Sequence, residues 1–227
     1  MENEEIDFDE FDKELDSIMS KLNHLFQGWN KLLNLLDLAE ELEPKLHETE
    51  NNLNEINVLI EFIKNEGTDK NQCCAAIYCS ILSIFEGFIH ELLLILNKCE
   101  TSKDEASFVN KVNHFENRVR NKFSSASEVF DFYLKKTVNN PDKIILLFNK
   151  LFGFNLKDSY VDSEKIIKYR NAYTHRNGYD GEHKKLSLSA TDVFDLYQNL
   201  YKLISEISKN IRAYLDNHIN DIYQIYD

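Results

Sequence analysis

From Phe8 to Leu36 the large apolar residues Phe8, Phe11, Leu15, Ile18, Leu22, Leu25, Trp29, Leu32 and Leu36 follow one another at alternating steps of three and four. An α-helix turns once in about 3.6 residues, so this spacing gathers every one of those side chains on one face, and that face must meet another helix to leave water. A strand, with its period of two, cannot use the pattern. A second run, Leu42, Leu46, Leu53, Ile56, Ile60 and Ile63, has the same period with Thr49 in one slot, but its phase is one residue short of the first. Pro44 stands where the phase changes. Proline is tolerated in a first helical turn and costly in an interior one, which predicts either two helices folded into a hairpin or one long kinked helix. We expect two, because Gly67-Thr68-Asp69 then ends the second and starts a third.

Beyond Gly67 the signals are again helical. Only 6 glycines and 2 prolines occur in 227 residues, and alternating strand patterns are nearly absent, so the fold class reads as all-α. The most apolar helix is expected over 70–98, followed by an amphipathic one over 102–122. Short helices follow at 127–136, capped by Ser127, and at 142–152, started after Asn139-Asn140-Pro141. Another begins near Asp162-Ser163 and is broken by Asn177-Gly178-Tyr179-Asp180-Gly181, and the last begins at Ser189 or Ala190 and persists to about His218.

The stretch from Ile77 to Leu96 is nearly long enough to cross a membrane, but Glu86, His90 and Glu91 would sit at mid-depth, where charge is costly, so a buried bundle helix is expected. Cys73, Cys74, Cys79 and Cys99 lie in or beside it with no Cys-x-x-Cys pair and no histidine cluster at ligand spacing. They read as small core residues in a reducing compartment, and no metal or other cofactor is expected. The opening Met-Glu-Asn-Glu-Glu carries no export signal, which predicts a cytoplasmic location and no membrane partner.

The net charge of −13 is unevenly placed. Residues 1–66 hold 18 acidic and 5 basic side chains, while residues 67–227 hold 21 of each. A polyanion would be repelled by the first segment and would have to bind the second. The chain is therefore divided at 66, into an acidic heptad-patterned arm or hairpin and a helical bundle. The arm's seams either pack on that bundle or present a docking surface to a partner or a second protomer.

The chemistry concentrates in Tyr169-Arg170-Asn171-Ala172-Tyr173-Thr174-His175-Arg176-Asn177-Gly178. Cleaving RNA without a metal needs a group that takes the proton of a ribose 2′-hydroxyl and a cation that stabilises the phosphorane. Histidine titrates near neutrality, and a guanidinium stays charged and can hold two phosphate oxygens. Asn171 and His175 are four apart and share a helical face, so the amide can orient the ring or contact the same phosphate. Arg170 lies roughly 140° from His175 around an ideal helix. That is marginal within one chain, whereas two antiparallel copies about a two-fold axis would bring two Arg-His sets together. Residues 165–185 hold six basic side chains, among them Lys168, Arg176, Lys184 and Lys185, against Asp180 and Glu182, a local surplus fit for a phosphate-binding rim. Spacing alone does not select this segment, since Arg176/His183 and Arg212/His218 are comparable pairs.

The run Arg170-Asn171-x3-His175 resembles the Arg-polar-x3-His signature of HEPN ribonucleases, especially the larger prokaryotic groups tied to toxin-antitoxin and phage-defence systems. The resemblance covers roughly 160–180, extends more loosely over 73–97, and does not reach the first 66 residues. It implies a HEPN-like helical bundle over 67–227, a homodimer with a composite site, and metal-independent RNA cleavage, with Arg170 and His175 catalytic and Asn171 supporting. Glu86, in Ser83-Ile84-Phe85-Glu86-Gly87-Phe88, matches an acidic residue that some such families carry on an earlier apolar helix, although a local pairing with His90 would also account for it. The resemblance implies an antitoxin or defence-system partner as well, for which the arm is the expected docking element. Toxins of this family controlled by nucleotidylation carry a tyrosine two residues after the histidine; here Asn177 stands there. The alternative is a catalytically inactive HEPN-like module for dimerisation, RNA binding or protein interaction.

Overall fold

The first helix does not stop at Pro44. In the computed structural model, which describes residues 8–66, 71–103, 105–115, 123–137, 140–157 and 162–226, α1 spans Phe8–Glu66 as one helix of 59 residues with Pro44 inside it. The expected hairpin is therefore corrected to a single rod. Leu42 and Leu46, on either side of the proline, are 1% and 2% exposed. Three ion pairs also bracket it, Glu41 with Lys98 at 2.7 Å, Glu43 with Arg212 at 2.7 Å and Lys45 with Glu91 at 3.5 Å. An interior proline costs about 3 kcal/mol, and burying two leucines offsets that amount. The Gly67-Thr68-Asp69 break lies outside the described residues.

The order continues with α2 (Asn71–Lys103), α3 (Glu105–Phe115), α4 (Ala126–Thr137), α5 (Pro141–Phe152), α6 (Ser163–His175) and α7 (Ala190–Tyr226). All regular structure among the described residues is helical. The caps explain several starts. The Asn140 side chain accepts from the Lys143 amide ahead of Pro141, the Asp162 side chain accepts from the Lys165 amide, and Ser189 and Asp192 bond each other's amides reciprocally at the head of α7. Helix α4 begins earlier than expected, its cap being Ser125, whose hydroxyl accepts from the Glu128 amide, and not Ser127. Helix α2 runs on past Ser102, and α3 is described only to Phe115.

The ion pairs set the directions. Glu41 with Lys98 and Lys45 with Glu91 run α2 antiparallel to α1, while Glu43 with Arg212 and Lys64 stacked 3.3 Å over the Phe194 ring run α7 antiparallel to it as well. Leu35, Leu38, Leu42, Leu46, Leu53, Ile56, Ile60 and Ile63 of α1 belong to the same core as Phe85, Ile89 and Leu92 of α2 and Leu200, Leu203 and Ile207 of α7. The second seam is thus core. Helix α2 is long and apolar enough to cross a membrane, and half of its most apolar window is buried in this bundle. Among the cysteines, Cys74 and Cys99 are core, but Cys73 is exposed and Cys79 half-buried.

The first seam fares differently. From Asp16 to Lys31 the one buried residue is Gly28, so this part of α1 projects beyond the bundle. The seams meet at Leu32, which is 3% exposed, and the phase slip turns Leu36 outward while Leu35 faces the core.

Candidate active site

Helix α6 lies against α2 through an aromatic ladder. Tyr169 packs on Tyr78, with ring centroids 5.9 Å apart, and on Tyr173 at 6.4 Å, while Ile166 and Ala172 point into the core. This seating fixes where the motif's side chains go. Arg170 reaches α2 and forks onto Glu86, Nε to Oε1 at 2.8 Å and Nη2 to Oε2 at 3.2 Å, with both side chains about a quarter exposed. The partner of Glu86 is therefore Arg170, 84 residues away, and not the neighbouring His90. Glu86 leaves part of the guanidinium free to donate, and it fixes the plane of the group.

His175 is the last residue of α6 and is exposed. Among the described residues its ring has no hydrogen-bond partner, and Asn171, half-buried one turn earlier, does not bond it. Nor does any contact join Arg170 to His175. One looks toward α2 and the other toward solvent, as their separation of about 140° and roughly 7.5 Å along an ideal helix requires.

The turn after His175 is tightly built. The amides of Arg176 and Gly178 both donate to the Ala172 carbonyl, at 3.0 and 2.9 Å, and Asn177 and Gly178 take positive φ values of 50° and 86°. A side chain at 178 would meet the Tyr173 ring 3.1 Å away, so glycine here satisfies both the backbone angle and a close approach. The Tyr173 hydroxyl lies 2.8 Å from Asn71 Oδ1 and 2.9 Å from the Leu186 carbonyl, and Asn71 Oδ1 also accepts from the Leu188 amide at 2.7 Å. Burial pushes the Tyr173 hydroxyl above its ordinary range, which keeps its proton in place to donate.

Asp180 holds the loop beyond. Its carboxylate accepts from the amides of Glu182 at 3.0 Å and Lys184 at 2.9 Å and pairs with Lys168 at 3.3 Å. The Lys184 amide bond leads in holding this carboxyl below its usual range. The result is a small hairpin-like loop closed by a bridge between Tyr179 and Lys185. Sequence reasoning missed Tyr173, Asn71 and Asp180 as the residues that shape this end of α6. The signal for Asp180 was there, since an aspartate inside Asn-Gly-x-Asp-Gly is a natural acceptor for amides two and four residues on.

Ion pairs absorb half of the basic surplus. Lys165 pairs with Asp192 at 2.8 Å, Lys168 with Asp180 and Arg170 with Glu86. The six basic groups thus face four carboxylates, two of them from other helices. Arg176, Lys184 and Lys185 remain without an acidic partner among the described residues, and all three are exposed. Lys185 also lines a cleft of about 550 Å³ with Asn71, Cys79, Thr174, Asn177 and Tyr179. Thr174 and Asn177 flank His175 in sequence and open this cleft beside it. Among the described residues no cluster of metal-binding side chains is present. The chain matches no family model, no curated protein and no solved structure.

Proposed function

We propose that this chain is a metal-independent endoribonuclease of HEPN type, a toxin or anti-phage defence effector acting on cytoplasmic RNA. The observation that carries the reading is the combination on α6 of an anchored guanidinium, Arg170 on Glu86, with an exposed terminal histidine, His175, beside the acid-free cations Arg176, Lys184 and Lys185. The resemblance of the Arg170-to-Gly178 run to the HEPN signature supports it.

In this reading the neutral His175 imidazole takes the proton of a ribose 2′-hydroxyl, and the 2′-oxygen attacks the adjacent phosphorus. Arg170 donates to the non-bridging oxygens as charge builds on the phosphorane. The 5′-oxygen leaves with a proton from a histidinium, giving a 2′,3′-cyclic phosphate and a 5′-hydroxyl. Arg170 and His175 of one chain look different ways, so the reading includes a homodimer whose two α6 helices meet about a two-fold axis, each supplying what the other lacks. The test is purified protein with single-stranded RNA and transfer RNA in EDTA. Cyclic-phosphate ends should appear, and Arg170→Ala and His175→Ala should each abolish them; cleavage that survives both changes sinks the proposal.

The Arg170–Glu86 fork favours a second reading, because an interhelical ion pair explains that arginine without any substrate. A catalytically inactive HEPN-like module would bind RNA or a protein partner and leave no cleavage product.

A further inference from the structure

The projecting part of α1 carries Ile18, Met19, Leu22, Leu25, Phe26 and Trp29 at 41–62% exposure, and the stripe runs on through Leu33 (51%) and Leu36 (38%) to the edge of the bundle. Eight large apolar side chains half in water expose on the order of 800 Å², more than a monomer ordinarily leaves bare and about one partner's share of a standard interface. The heptad spacing says that the missing cover is a helix of the same kind.

We propose that this cover is the same segment of a second copy of the chain, running antiparallel. Two features choose the copy and its direction. The first is charge. Residues 1–16 hold nine acids and one lysine, whereas residues 17–36 hold no acid and Lys21, Lys31 and His24. A parallel pair would stack acidic tip on acidic tip. An antiparallel pair lays each acidic tip over the partner's basic stretch, and a two-fold axis near Ser20 does so while opposing Ile18 to Leu22 of the second copy.

The second feature is the width of the stripe. Beyond the Ile18, Leu22, Leu25 and Trp29 seam, Met19, Phe26 and Leu33 widen it on one flank only, while the other flank carries Glu14, Lys21 and Gly28. In a parallel pair the apolar flank of one helix faces the polar flank of the other. In an antiparallel pair like flanks face, so Met19 meets Met19 of the second copy beside the axis and the apolar flanks do not face Lys21 and Gly28.

This pairing does not rest on the ribonuclease reading. It joins the two bundles at opposite ends of the shared segment, so it is a different contact from the one that would bring two α6 helices together. The experiment is sedimentation and light scattering of the full chain over nanomolar to tens of micromolar concentrations. Wild type should self-associate through α1, and Leu22→Glu with Phe26→Glu, both at exposed positions, should shift the dissociation constant of that step upward at least a hundredfold with unchanged helical circular dichroism, whether or not α6 also pairs. In a Cys73→Ser background, Met19→Cys should cross-link to its own copy and Leu33→Cys should not. A wild-type monomer throughout the range, a state of association indifferent to the double substitution, or binding to lipid vesicles by a chain that stays monomeric would each overturn the proposal. Equal cross-linking at positions 19 and 33 would overturn its antiparallel sense.

Discussion

Arg170 of α6 and Glu86 of α2 form a two-point fork, with Nε and Nη2 of one on the two carboxylate oxygens of the other. Fork geometry restricts both side chains at once, and the pair is only a quarter exposed, so it retains more of its Coulomb attraction than a surface ion pair does.

Replacing Glu86 by alanine should therefore lower stability by about 1–2 kcal/mol, and a double-mutant cycle with Arg170→Gln should return a coupling of about 1 kcal/mol. Chemical denaturation of the four proteins measures both. On the ribonuclease reading, Glu86→Gln should also lower kcat about tenfold with little change in KM, because it loosens the guanidinium without removing it. A coupling near zero would mean that the fork contributes nothing to folding.

The glycine after the motif is a structural requirement. Gly178→Ala combines a φ of 86° with a Cβ placed 3.1 Å from the Tyr173 ring, and should cost about 1–2 kcal/mol. Tyr173→Phe, which removes the hydroxyl shared with Asn71 and Leu186, should cost about 1 kcal/mol. Urea midpoints measure each, and a stabilised Gly178→Ala protein would contradict the geometry.

Asp192 ties the head of α7 to α6. Burial alone would raise its carboxyl, but the hydrogen bonds from Lys165 and Ser189 outweigh it and bring the value down to about 2. A carboxyl held below its unfolded value of 3.8 adds stability that is fully present above that value and disappears as pH falls through about 2. The full linkage would be near 2 kcal/mol, and Lys165, with a side chain 43% exposed, reduces it to about 1 kcal/mol through solvent screening. Asp192→Asn should thus be less stable than wild type at pH 6 and should lose this part of the acid dependence between about pH 4 and 2. Parallel stability curves for the two proteins over that window would show the assignment of the bond to be wrong.

Pro44 sits at an exposed point of an otherwise uninterrupted helix. Pro44→Ala restores an amide donor to the Glu40 carbonyl and should stabilise the chain by about 1–3 kcal/mol, read as a higher thermal midpoint with unchanged helix content.

What could be read in advance was what a residue decides with its near neighbours. Asn140-Pro141, Asp162 and the Ser189–Asp192 pair start helices through bonds three residues long, and Asn177-Gly178 ends one by its backbone freedom. Pro44 was misjudged because its local penalty is outweighed by Leu42, Leu46 and three ion pairs to distant helices. Glu86 has a plausible neighbour in His90 and takes Arg170 instead, a choice that only the docking of α6 on α2 makes. The two seams of α1 look alike as patterns, and the second is core while the first is bare from Ile18 to Trp29. A heptad states that a partner helix exists and is silent on which one. In the motif, the chemistry-bearing residues were legible as types, but their divergence toward α2 and toward solvent follows from the seating of Tyr169 and Ala172.

The small number of cations left without acids around α6 has a thermodynamic consequence for any RNA held there. Each phosphate neutralised on a single strand releases condensed counterions and adds about 0.7 to the slope of log affinity against log salt, so Arg176, Lys184 and Lys185 together account for a slope of only about −2. Binding so weakly coupled to ionic strength must draw the rest of its free energy from uncharged contacts. Tyr179, 40% exposed beside Lys185 and the cleft, offers an aromatic face on which a base can stack. Retention of RNA by this surface should accordingly persist in salt that strips RNA from an extended basic groove.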